Sequence, residues 1–309
     1  MIIILDKKNM IVTRERETLR VAHTSSHFDR VPFHMITQMI VIGNPMIAAG
    51  VLRSLSERNI PVIFLSERKN ENAAYLCSGL SHTADIRIAQ HQARKNPVQR
   101  ASICRWLLQI KIKGQKQNIE QLSTHSSSIE KPISIMNQCL KDIETETGIC
   151  QFMGYEGLAA RAYFQALKNL LPVKWEFNGR NRNPPKDPVN ALLSYTYTIA
   201  GSHVLQRIQR EGLDPAPGFL HANQNNRPGL MLDLLEPVRP FLDRFVFQFI
   251  DDVLNKKQHF VMHEDLGCRL NKSGRKLFFY YWADILDVAD GLDKQIQAIV
   301  DAVKKLFHL

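Results

Sequence analysis

The sequence predicts an α+β protein, with a small N-terminal β-rich domain (residues 1–80) followed by a larger all-α C-terminal domain (residues 81–309). Three observations predict it. Short β-branched runs separated by turn residues fill the first eighty positions. Beyond Leu80-Ser81 glycine becomes scarce and apolar side chains recur at helical spacing. A chain of 309 residues can bury one large core or two moderate ones.

In the first domain, Ile2 to Leu5 and Ile11-Val12 are apolar runs around a Lys7-Lys8-Asn9 turn and read as two strands. Met35 to Ile42 is a half-alternating strand closed by Gly43-Asn44-Pro45. Met46, Ala49, Leu52 and Leu55 are spaced for a helix that ends in Glu57-Arg58-Asn59. Ile60 to Leu65 and, more weakly, Ala73 to Ser78 read as further strands. No cluster of reactive side chains lies in this block, so its expected role is packing and dimerisation.

The second domain opens with a basic run. Between Ile86 and Ile119 there is no acidic residue, whereas Arg87, Arg94, Lys95, Arg100, Arg105, Lys111, Lys113 and Lys116 all occur. Solvated helix faces usually mix signs, so the run reads as a phosphate-tracking surface, with a partnerless basic face as the alternative. Ser123 to Lys131 is a polar connector, and Ile133 to Ile143 is a helix. From Gly148 to Leu171 the small residues around Gly157, Ala159, Ala160 and Ala162 suggest a close helix crossing at Glu156. A carboxylate there needs a metal or a base as partner, Arg161 being the plain candidate. Phe177 to Asp187 is a turn-rich loop whose Arg180, Arg182 and Lys186 suit a DNA backbone. Asp187-Pro188 then caps a helix from Val189 to about Arg210, on which Tyr197 either stacks on a base or packs in the core. Leu242 to Leu254 reads as a helix, Cys268 to Tyr281 as a hairpin or turn around Ser273-Gly274, and Asp284 to Phe307 as a final helix.

Composition narrows the function classes. Hydrophobic and charged contents of 44% and 23% are those of an ordinary globular chain, but the net charge of +10 attracts polyanions, nucleic acid first among them. Five cysteines without a C-x-x-C pair fit neither a disulfide framework nor a zinc site and imply reduced thiols in a cytoplasmic protein. The N-terminus is strand-like rather than a signal peptide, and the most apolar window, Met39 to Leu52, is too short to span a bilayer. No membrane role is indicated.

The chemistry concentrates in Gly218 to Pro240, GFLHANQNNRPGLMLDLLEPVRP. His221 lies in a polar turn. Asp233, Glu236 and Arg239 recur every third residue of the following helix and so share a face. The two acids interrupt an apolar run, which calls for a partner such as a shared cation. With Glu156 from the stretch GYEGLAARAYF they form the ligand set of a divalent metal engaged in phosphate chemistry. Pro237 and Pro240 distort or end that helix and leave Arg239 and Arg244 as phosphate clamps.

GYEGLAARAYF, NRNPPKDPVNALLSYTYTIAG, GFLH with LDLLEPVRP, and FFYYWADIL, in this order and over nearly the whole chain, resemble the CRISPR-associated adaptation integrase family, Cas protein one. The resemblance implies a β domain, a helical domain and a homodimer. It also implies a complex with the CRISPR-associated protein two, and double-stranded DNA, both protospacer and CRISPR repeat, as substrate. A Mg²⁺ or Mn²⁺ ion is implied on Glu156, His221 and Glu236, with Asp233 as auxiliary acid. The implied reaction inserts spacers by 3′-hydroxyl attack on repeat phosphodiesters. A nuclease acting on branched DNA in repair and a non-catalytic DNA-binding scaffold are the alternatives.

Overall fold

The structure is a computed structural model that describes residues 1–7, 9–22, 27–65, 73–76, 84–123, 129–221, 228–287 and 290–307. The expected boundary at Leu80-Ser81, Cys77 and the Lys8 turn position lie outside these residues. The chain forms two compact units: Met1–His82 together with Thr198–Gly212, and Thr83–Tyr197 together with Leu213–Leu309.

The first unit contains two four-stranded sheets. Strands β1 (Ile2–Leu5), β5 (Gln38–Ile42) and β7 (Val62–Leu65) run parallel, and β8 (Ala74–Leu76) closes the edge antiparallel. All five residues of β5 are buried, as a central strand covered on both faces requires. The second sheet is ordered β4 (Phe28–Pro32), β3 (Thr18–Ala22), β2 (Ile11–Glu15) and β6 (Met46–Ile47). Leu5, Val12, Leu19, Phe33, Met39, Val51, Leu55 and Val62 belong to one core that joins both sheets to helix α1 (Ala49–Glu57).

Sequence periodicity blurred this unit in three places. Strands β3 and β4 escape notice because Arg20 and Arg30 decorate them; both guanidinium groups stack on the ring of Phe28, at 4.3 and 4.7 Å. The strand expected from Met35 starts only at Gln38, after a 3₁₀ turn, Phe33–Met35. Met46 and Ile47 pair with β2 rather than opening the helix.

The second unit is helical. Helix α2 spans Asp85–Lys95, α3 Pro97–Leu122, α4 Glu130–Thr145 and α5 Ile149–Leu170; α6 (Pro188–Arg210) starts in this unit and from Thr198 onward belongs to the first. Asn96 caps α3 by accepting from the amides of Val98 (3.0 Å) and Gln99 (3.3 Å), with Pro97 in the first turn. Asp187 does the same for α6, accepting from the Asn190 amide at 2.8 Å, as its place before Pro188 predicts. Helix α7 (Gly229–Leu235) runs into a 3₁₀ turn, Glu236–Val238, and then into α8 (Arg239–Asp252). The turn tightens where Pro237 removes a backbone donor.

The expectation of an all-α second domain needs correction. After the short helix α9 (Lys256–His259), strands β9 (Phe260–His263) and β10 (Gly267–Leu270) form an antiparallel hairpin. Gly267, at φ +66°, supplies the left-handed residue that the return requires. The hairpin precedes Ser273-Gly274, because Asn271 accepts from the Gly274 amide at 3.0 Å and so starts helix α10 (Lys272–Asp287). The single helix expected over 284–307 is the end of α10 followed by a separate helix, α11 (Leu292–Leu306).

Gly154 and Gly157 face open space, whereas a Cβ on Gly114 of α3 would lie 2.8 Å from Cβ of Pro240. Gly114→Ala should therefore destabilise the protein by about 1–3 kcal/mol despite the better helix propensity of alanine, measured by urea unfolding.

Candidate active site

His221 is held by a loop gripped from both sides. Its carbonyls are taken by cations: Arg94 Nε donates to the Gly218 carbonyl (3.0 Å) and Arg100 Nε to that of Phe219 (2.8 Å). Its amides are taken by an anion. Asp233, wholly buried, accepts from the amides of Phe219, Leu220 (3.0 Å) and His221 (2.9 Å). The same carboxylate lies 2.8 Å from Nδ1 of His221. Gly229 permits the packing of this loop against α7, since a Cβ there would stand 2.7 Å from the His221 carbonyl. Burial works against a charged ring at His221, but the Asp233 carboxylate, and behind it Glu236, raise its pKa above the usual imidazole value. With Nδ1–H donated to Asp233, the lone pair of the neutral ring is on Nε2.

Glu156 and Glu236 meet at a third side chain. Lys111 of α3, with 5% of its side chain exposed, places Nζ against Oε1 of Glu156 and 2.5 Å from Oε2 of Glu236. Arg239 adds a second cation, Nε standing 3.0 Å from the same Glu236 oxygen. Lys111 and Arg239 between them neutralise one buried oxygen of Glu236. Burial would raise the Glu236 pKa; the charges of Arg239, Lys111 and His221 outweigh it and hold the carboxyl below the usual range.

Below this lies a third buried acid. Asp243 accepts from the hydroxyls of Tyr197 and Tyr163 (3.0 Å to the latter). Asn118 of α3 donates to the Pro240 carbonyl at 2.7 Å and to Tyr163 Oη at 3.3 Å. Arg239 stacks over the Tyr197 ring at 4.3 Å. Tyr197 is thus a core residue whose ring and hydroxyl are both engaged. Burial raises the Asp243 pKa to about 6, the two phenol donors offsetting part of the cost.

The structure sorts the expected site residues into three groups. Glu156 and Glu236 come together, though around an ammonium. Asp233 joins His221 through its carboxylate and three amides rather than facing the same point as Glu236. Among the expected DNA contacts, Arg180 is half-buried, donating to Asn190 Oδ1 (2.9 Å) and Ser194 Oγ (3.0 Å), and desolvation lowers its pKa to about 10. Arg239 is committed to Glu236 and Tyr197. Arg244 is half-buried and donates to Asn118 Oδ1 at 3.3 Å, whereas Arg182 and Lys186 are exposed.

The basic run of 86–119 divides likewise. Arg94 and Arg100 hold the histidine loop, Arg105 donates to the carbonyls of Ile143 (3.0 Å) and Glu146 (2.6 Å), and Lys111 is buried; Lys95 and Lys113 remain exposed. Sequence reasoning placed Lys111 on a phosphate-tracking surface, which its burial corrects, and passed over Asp243. A signal existed for both: Lys111 keeps the helical phase of the buried Cys104, Leu107, Leu108 and Asn118, and Asp243 interrupts an apolar helix just as Asp233 does.

Whether a divalent ion suits these residues can be tested on their chemistry. In favour are the carboxylates of Glu156 and Glu236 drawn to one cation and the imidazole whose Nδ1 is fixed by a carboxylate, the usual support of a metal-binding histidine. The donors do not form a closed cage as they stand. Among the described residues no three His, Cys, Asp or Glu side chains are gathered tightly enough to share an ion. The ammonium of Lys111 stands between the two carboxylates instead.

Comparison with known proteins decides the family. Residues 3–284 match the family model described as CRISPR associated protein Cas1. The chain belongs to this family. A curated member, CRISPR-associated endonuclease Cas1 1 of Thermodesulfovibrio yellowstonii, is 28% identical over 283 residues, covering 90% of this chain and 88% of the relative. Among solved structures, a Cas1 protein of Thermotoga maritima superposes with a TM-score of 0.85 at 22% identity, covering 99% of this chain and 96% of the other. A casposase bound to integration product superposes with a TM-score of 0.82 at 18% identity, covering 99% and 90%. At these identities the structural likeness is one of fold, and family membership rests on the sequence match. Among the described residues Cys104, Cys139, Cys150 and Cys268 are free thiols, and no helix is long and apolar enough to cross a membrane.

A pH experiment tests the buried acid. Because the folded pKa of Asp243 is raised, its contribution to stability is full below its unfolded value of 3.8 and is lost as pH rises through about 6. The stability of the wild type relative to Asp243→Asn should therefore fall by about 2 kcal/mol between pH 4 and pH 7, as read from urea midpoints at each pH.

Proposed function

We propose that this protein is a DNA strand-transfer enzyme of CRISPR adaptation, one that joins the 3′-hydroxyl ends of a captured DNA fragment to phosphodiesters of the CRISPR repeat. Three facts support the reading: membership of the family, the endonuclease name of its curated relative, and a casposase of the same fold bound to integration product. The observation that carries it is the meeting of Glu156 and Glu236, from separate elements, at one buried cation in the unit that also holds the Asp233-braced His221.

Glu156, His221 and Glu236 are the residues that would hold Mg²⁺ or Mn²⁺, an imidazole donor leaning slightly toward Mn²⁺. Such an ion supplies charge neutralisation at the phosphoryl group and a lowered pKa for a bound hydroxyl. The protein's own part is positional. Asp233 fixes the His221 ring and its tautomer, and Arg94 and Arg100 keep the loop from moving away. Arg239 is a buried positive charge beside Glu236, held in its cationic state by that carboxylate against the cost of burial. Exposed Arg182 and Lys186 would contact the DNA backbone without reading sequence, as acquisition of arbitrary fragments demands. A homodimer, the CRISPR-associated protein two as partner and a cytoplasmic setting complete the reading.

The test incubates a labelled duplex bearing free 3′-hydroxyls with supercoiled CRISPR plasmid, Mn²⁺ and the partner protein. Label joined to plasmid is expected, and none should join with Glu156→Ala or His221→Ala. Cleavage without joined label would point to a repair nuclease, and no metal-dependent product at all to a binding scaffold. Asp233→Asn should retain joining but lose about 10–100-fold, since it removes the brace and not the ligand. Double substitution Arg182→Ala/Lys186→Ala should weaken DNA binding regardless of sequence. It should also flatten the dependence of log affinity on log salt, by about 0.9 in slope for each phosphate left without its cation. Fluorescence anisotropy over a salt series reads this.

A further inference from the structure

The placement of Lys111 carries a consequence that extends the metal-site reading and rests on it. A lysine whose side chain is 5% exposed sits between two carboxylates, one of them also 5% exposed. Two acids side by side repel each other, and burial strips Glu236 of its hydration while Glu156 stays partly exposed, so they need a positive charge between them. In the chain as it stands that charge is the ammonium. These two carboxylates are also the ones proposed to hold the divalent ion. One position between them cannot take both cations, since an ammonium and a divalent ion would stand within a few ångströms of each other and repel.

Two further observations favour exchange over coexistence. Arg239 also stands 3.0 Å from Glu236 Oε2, so this carboxylate keeps a cation beside it when the ammonium leaves. Lysine, moreover, reaches the carboxylates through a flexible four-carbon stem whose point charge is easily redirected, whereas a guanidinium fork would lock both oxygens.

We propose that Lys111 is a resident cation of the metal site. Its ammonium holds Glu156 and Glu236 assembled when no divalent ion is present, and it withdraws from between them when the ion binds. The ion and the ammonium are alternative occupants of one position, so the affinity for the ion is set partly by competition with Lys111.

Metal binding in Lys111→Met, Lys111→Arg and wild-type full-length protein tests this without recourse to activity. Free Mn²⁺ is measured by its electron paramagnetic resonance signal during titration, and thermal unfolding is followed with and without Mn²⁺. Lys111→Met should melt below the wild type in the absence of metal, bind Mn²⁺ about tenfold or more tightly, and gain more in Tm from it. Lys111→Arg, which keeps the charge in a less retractable form, should bind Mn²⁺ more weakly than the wild type. If Lys111→Met proves unfolded without metal, added Mn²⁺ should restore its helical circular dichroism.

Unchanged or weaker Mn²⁺ binding by a folded Lys111→Met, or an unfolded Lys111→Met that Mn²⁺ does not rescue, overturns the proposal. Glu156→Ala and Glu236→Ala separate it from the functional reading. If both bind Mn²⁺ like the wild type, the metal site itself is misassigned and the proposal falls with it. If both lose binding while Lys111→Met gains none, the site stands and only the role of Lys111 falls.

Discussion

A buried carboxylate must be matched by positive charge or by donors, and this requirement organises the helical unit. Asp233, Glu236 and Asp243 are each almost fully buried within eleven residues of sequence. Each is matched differently: Asp233 by three amides and an imidazole, Glu236 by an ammonium and a guanidinium, Asp243 by two phenols. The difference in partners gives the acids different chemistry. Amides and phenols commit the lone pairs of Asp233 and Asp243, which makes them structural anchors. Glu236 is instead matched by two side-chain cations, one of them on a flexible stem.

The same logic explains the basic excess. A net charge of +10 suggests a protein coated for polyanions, but much of the basic run is turned inward. Arginines of α2 and α3 hold backbone carbonyls of the histidine loop and of the end of α4, and Lys111 neutralises the acids. Positive charge available to DNA is left at exposed positions such as Lys95, Lys113, Arg182 and Lys186. Net charge bears on association with polyanions, yet it does not reveal which cations are free to associate.

What could be read in the sequence follows from this. The division into a β-rich beginning and a helical remainder was legible because period-two and period-3.6 patterns differ strongly over those lengths. Asp187 was legible as a cap, since Asp before Pro has one dominant local use. The meeting of Glu156 and Glu236 was legible from residue types and family resemblance. Lys111 was not, because a lysine inside a basic run looks solvated until the helix phase is counted. Strands β3 and β4 were hidden by arginines that serve one aromatic ring, and hairpin β9–β10 by the stronger turn signal of Ser273-Gly274. The roles of Arg180 and Arg239 depend on which way a long side chain turns, and pattern alone does not record that.

Helix α3 presents Lys111, Gly114 and Asn118 on one side: the first meets the acids, the second admits Pro240, and the third bonds its carbonyl. Their spacing of three and four residues is a gauge cut to the pitch of an α-helix. Adding or deleting a single residue between Lys111 and Asn118 would turn one end relative to the other by about 100°, and no adjustment of side chains could restore all three fits. Drift in this segment is therefore confined to replacement, and changes of length are shut out.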